Sequence, residues 1–96
     1  MLVLSNQAVQ VIRELVEEGE AGPDGGLRIF GTRANGETAL EFELASEPFE
    51  GDEVVRYGGA VVFLDEVAAR ELADKTLDVH AHGDHFHFSL DVQDGS

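Results

Sequence analysis

Cysteine is absent from this 96-residue chain, and with it go disulfides, thiolate metal sites and cysteine nucleophiles. Basic residues are scarce as well. Lys75 is the only lysine, and Arg13, Arg28, Arg33, Arg56 and Arg70 are the only arginines, against 20 acidic residues, for a formal net charge of −14. Such a charge repels polyanions, so neither nucleic acid nor an anionic membrane is expected as a partner; basic protein surfaces and cations are favoured. A phosphate loop of the Walker type needs its own Gly-Lys-[Ser/Thr] step, which this chain lacks. The longest uninterrupted apolar run is Ala60 to Leu64, far short of the roughly 20 residues that span a bilayer. Met1 to Leu4 has no charged leader and gives way to Ser5-Asn6-Gln7, so no secretory signal is expected and the expected compartment is the cytoplasm. With only two prolines and a hydrophobic fraction of 43%, the composition is that of an ordered globular domain rather than a disordered chain.

All four histidines, by contrast, fall in one short stretch, His80-Ala81-His82-Gly83-Asp84-His85-Phe86-His87. Leu77, Val79 and Ala81 alternate with Asp78, His80 and His82, and beyond Gly83-Asp84, Phe86, Phe88 and Leu90 alternate with His85, His87 and Ser89. This is the pattern of two half-buried strands joined by a tight turn. If Gly83-Asp84 is a two-residue type II′ loop, His82 faces His85 and His80 faces His87, and all four rings share one face with Asp78. Opposed Cβ atoms in such pairs lie about 4.5 to 5.5 Å apart. Imidazole suits zinc, nickel and iron, so His80, His82, His85 and His87 are the candidate metal ligands, with Asp78 as an oxygen ligand or a support for one ring. The competing reading is a solvated polar face. Ser89, His87 and Asp78 contain the residue types of a hydrolytic triad, but no oxyanion hole or water-excluding pocket accompanies them, and no enzymatic activity is expected.

Elsewhere the chain reads as a short strand at Leu2 to Leu4 and a helix capped by Ser5. Ala8, Val11, Ile12, Leu15 and Val16 make that helix's apolar stripe, and it ends near Gly19. The glycine-rich segment 20–26 carries acidic charge and runs into a strand, which makes it a connector rather than a ligand loop. Asn35-Gly36 joins strands at Leu27 to Arg33 and Thr38 to Ala45, with Leu40, Phe42 and Leu44 directed inward. Gly58-Gly59 joins Glu53 to Tyr57 and Ala60 to Leu64, the latter covered on both faces. Asp65 caps a short helix bearing Val67, Ala68, Leu72 and Ala73. Phe30, Phe49 and Tyr57 offer the residue types of a binding surface, but core or loop packing is the favoured reading. The result is a single α+β domain over residues 1–90, mainly of antiparallel strands with one long and one short helix, followed by a polar tail at 91–96.

This order resembles the HesB/IscA-like family of A-type iron-sulfur carriers. The matching segments are Gly26-Leu27-Arg28-Ile29, Gly51-Asp52, Gly59-Ala60-Val61-Val62-Phe63-Leu64-Asp65, Leu77-Asp78 and Phe86-His87-Phe88. The resemblance implies a small HesB/IscA-like domain. It also implies that the carrier chemistry has been lost. Family members hold iron or a cluster through one cysteine after a glycine in the first hairpin and two more in a Cys-Gly-Cys near the C-terminus. Here Gly36 matches the glycine, Glu37 stands where the first thiol is expected, and 90–96 has no counterpart of the second pair. Clusters are held chiefly by thiolates. The leading expectation is therefore a non-enzymatic accessory or interaction domain associated with iron-sulfur cluster biogenesis, acting through a protein partner or as a homo-oligomer. The alternative is a histidine-based protein binding a divalent metal (zinc, nickel or iron) at the C-terminal hairpin.

Overall fold

The computed structural model describes residues 2–83 and 85–92. Along the chain run β1 (Val3–Leu4), α1 (Asn6–Glu18), β2 (Gly26–Ala34), β3 (Glu37–Ala45), β4 (Glu53–Tyr57), β5 (Ala60–Leu64), α2 (Glu66–Glu71), β6 (Lys75–His82) and β7 (His85–Val92). The strands form two sheets, ordered β1-β6-β7 and β3-β2-β5-β4. The α+β class and all three expected hairpins are present, but both sheets are mixed: β1 pairs with β6, and β2 with β5, in parallel. These two long-range pairings draw the hairpins into one fold around a common core.

Local chemistry accounts for the boundaries. The Ser5 side chain accepts a hydrogen bond from Ala8 N and caps α1, whose Ala8, Val11 and Ile12 are buried. Asn35 and Gly36 both take positive φ, 55° and 79°, as the two-residue loop of a right-twisted hairpin requires. Asp65 caps α2 through Ala68 N, and its other carboxylate oxygen accepts from Gly31 N at 3.1 Å, so one side chain holds helix and sheet together. Gly31 lies directly beneath Val67, where a Cβ would collide with that side chain.

The helix α1 packs on β6, β5 and β2, so the core it closes draws on both sheets: Ile12 belongs to one buried cluster with Ile29 and Val62 of the larger sheet and Leu77 and Val79 of the smaller one. The strands β3 and β7 lie at the outer edges of their sheets, and Phe42 stacks on Phe88 between them with ring centroids 4.2 Å apart. The inward assignment of Leu44 needs correction, because it keeps about two-fifths of its surface exposed, as do Phe86 and Leu90 on β7. An edge strand has a neighbour on one flank only, so its core-side residues are covered incompletely. The last strand also runs on through Asp91 and Val92, paired with Thr76 and Lys75. Of the expected tail, residues 93–96 lie outside those described.

Candidate functional site

Strict alternation positions the histidines. With Leu77 and Val79 buried against the core, the even-numbered residues of β6 must turn the other way. The register pairs Asp78 with Ser89, His80 with His87 and His82 with His85. The four histidines and Asp78 therefore lie on one face of the hairpin, as their sequence spacing predicts, and all four rings are exposed. Gly83 has φ +59°; Asp84, which the expected type II′ turn also involves, lies outside the described residues.

Asp78 is the most constrained member. Its Oδ1 accepts from Ser5 Oγ at 2.6 Å and from Val79 N at 3.0 Å, while Oδ2 lies 2.8 Å from His80 Nε2. The Ser5 hydroxyl is the main cause that holds this carboxyl below the usual carboxylate range. Desolvation opposes it, and His80 and the Val79 amide add to the lowering. Asp78 is thereby committed to the helix cap and to His80. A hydrolytic relay would need it on His87, which instead faces His80.

The rings of His82 and His87 stand diagonally across the two strands, their centroids 5.6 Å apart and their planes at 82°. Among the described residues, no three His, Asp or Glu side chains already converge as a set able to hold a metal ion. The face thus offers one close pair of rings and one ring oriented by a carboxylate.

A second constellation escaped the reading of the sequence. The nearly buried Arg28 donates from Nε and Nη2 to the two carboxylate oxygens of Asp52 at 2.9 and 3.3 Å, with Glu43 3.9 Å away. Its guanidinium carbon lies over the ring of Phe49, 3.9 Å from the centroid, and over that of Phe30, at 5.1 Å. Asp52 also accepts from Phe49 N at 2.9 Å, which fastens the 46–52 loop to β2. Asp52 is the first cause that raises the Arg28 pKa further. The available signal was an arginine inside the otherwise apolar run Leu27–Phe30, followed far along the chain by Gly51-Asp52.

No protein-family model and no curated protein matches this sequence. Solved structures do. Escherichia coli SufA, involved in biosynthesis of iron-sulfur clusters, superposes with a TM-score of 0.74 at 24% identity over 95% of this chain and 84% of SufA. IscA with the 2Fe-2S cluster gives 0.75 at 21% identity, covering 96% and 85% of the two chains. A protein from Aquifex aeolicus gives 0.68 at 22% identity, covering 94% and 89%. The chain has the HesB/IscA-like fold. Its donor atoms do not fit the cluster that IscA carries: the chain contains no thiol, and Glu37, at the exposed start of β3 opposite Ala34, is a hard oxygen donor.

Proposed function

We propose that this chain is a non-enzymatic accessory or interaction domain in iron-sulfur cluster biogenesis, one that meets carrier or acceptor proteins without holding a cluster itself. The observation that carries this reading is the combination of an almost complete carrier fold with the loss of every thiol. A domain that keeps the shape of a carrier but not its ligands retains surfaces rather than chemistry. With a net charge of −14, the partner surface is basic or apolar. Phe86, Leu90 and Val92 on the outer strand β7 supply exposed apolar area for it. Among the described residues no helix is long and apolar enough to cross a membrane, and the cytoplasm is the compartment we assign.

The test is calorimetric titration of the chain with purified cluster-loaded and apo forms of SufA- or IscA-type carriers and their acceptors, under anaerobic conditions. Saturable binding to at least one, weakened by salt, with no cluster absorbance moving onto the chain, is the expected result. Absence of binding to all of them, or transfer of a cluster to the chain, contradicts it.

A further inference from the structure

We infer that the exposed face of the β6–β7 hairpin is a binding site for a divalent transition-metal ion, with His82 and His87 as the primary ligands and His80 as the third. The inference does not depend on the partner role proposed above. Two imidazoles bound to one tetrahedral ion, with metal–nitrogen bonds of about 2.0–2.1 Å, hold their ring centroids about 5 Å apart. The observed 5.6 Å between His82 and His87, with the planes at 82°, is close to that spacing before any metal is bound. Loading requires the rings to rotate until their nitrogens aim at one point, since no three side chains among the described residues yet converge on an ion.

His80 sits directly opposite His87 in the register. Its Nε2 is 2.8 Å from Asp78 Oδ2, and a carboxylate neighbour fixes the proton on that nitrogen, leaving Nδ1 as the free lone pair. A histidine that donates one N–H to a carboxylate and offers its other nitrogen to the ion is the usual supporting arrangement in metal sites. Asp78 is itself anchored by Ser5 Oγ and Val79 N, so the orienting group is fixed to the helix cap. Because the rings are exposed, water fills the remaining positions, as in open sites. The donor set is all imidazole with no thiolate, which selects borderline ions such as zinc or nickel over calcium or magnesium. The strongly acidic chain raises the local concentration of cations. His85 faces His82 in the register, yet the close ring pair is His82–His87, so His85 is assigned no ligand role.

The experiment is calorimetric titration of tag-free, chelator-stripped protein with zinc chloride and with nickel chloride, against magnesium chloride as a control. It is read together with long-range proton–nitrogen imidazole spectra. We expect one saturable micromolar site per chain for zinc or nickel, none for magnesium, and a shift of His80 Nδ1 rather than Nε2 on loading. His82→Ala and His87→Ala should each weaken binding about tenfold or more, and the double variant by less than the product of the two, because both ligate one ion. His85→Gln should stay within about threefold of the parent, and Asp78→Asn should weaken binding by about tenfold through the orientation of His80. A circular dichroism spectrum identical to the parent's is required of each variant, and the His85→Gln protein is the matched surface control. Lack of saturable binding at micromolar metal overturns the site, as does binding unchanged in His82→Ala/His87→Ala. Loss on His85→Gln with retention on His87→Ala would overturn the ligand assignment.

Discussion

The Ser5 hydroxyl donates to Asp78 Oδ1 at 2.6 Å across 73 residues of sequence, while Ser5 Oγ itself accepts from Ala8 N at 3.0 Å. One side chain thus caps the long helix and anchors the carboxylate beside the histidines. Ser5→Ala removes both roles, and loss of the cap alone costs about 0.5–2 kcal/mol. Ser5→Thr retains the hydroxyl and should recover most of that loss. Ser5→Asp remains a good cap but brings a second carboxylate to Asp78, so it should be less stable than the threonine variant. Urea denaturation of the three proteins measures the order.

The acid limb of the stability profile follows from the same contact. Asp78 titrates below its ordinary value in the folded chain, chiefly because of the Ser5 hydroxyl. Its contribution is therefore fully present above the unfolded carboxyl value of about 4 and is lost as pH falls through the lower folded value. Denaturation of metal-free protein between neutral and acid pH should show a smaller acid-dependent loss in Ser5→Ala than in the parent. Equal losses in the two proteins would remove Asp78 from the account.

Arg28 and Asp52 form a pair whose partners are hard to replace singly, since the Asp52 side chain is only 2% exposed. Truncating either partner leaves a buried charge without its counterion, at a cost of about 3–5 kcal/mol. Arg28→Lys keeps the charge but loses the fork geometry and the stacking on Phe49 and Phe30. A double-mutant cycle on Arg28→Ala and Asp52→Ala should give a double variant clearly more stable than the sum of the two single losses.

Gly31→Ala tests the contact of β2 with α2. The added methyl collides with Val67, and overpacking of this kind costs about 1–3 kcal/mol. Val67→Ala in the same chain should restore part of that loss, which thermal denaturation can follow. Retention on DNA or on anionic vesicles, in contrast, should be negligible at physiological salt for a chain of net charge −14; filter binding and vesicle sedimentation are the direct checks.

Much of this architecture was legible in the sequence where the signal was local. Asn35-Gly36 and Gly58-Gly59 marked hairpins because both turns use positive φ at adjacent residues. The pairing of His80 with His87 followed from strict alternation on either side of Gly83-Asp84. Pairings remote in sequence were not legible: nothing in Val3–Leu4 or Leu27–Ile29 specifies a parallel neighbour at Thr76–Leu77 or Val62–Leu64. Alternation also reports which face a residue takes, but not whether another layer covers that face, which is why it directs Leu44 inward although about two-fifths of that residue's surface is exposed. The Ser5–Asp78 and Arg28–Asp52 contacts depend on those same long-range pairings.

Anaerobic reconstitution with iron and sulfide, followed by desalting and absorption spectroscopy, tests the central claim most directly: an HesB/IscA-like fold that does not hold a cluster. The account predicts no protein-bound chromophore, because the chain has no thiolate to hold one. A stoichiometric 2Fe-2S spectrum that survives desalting would contradict it.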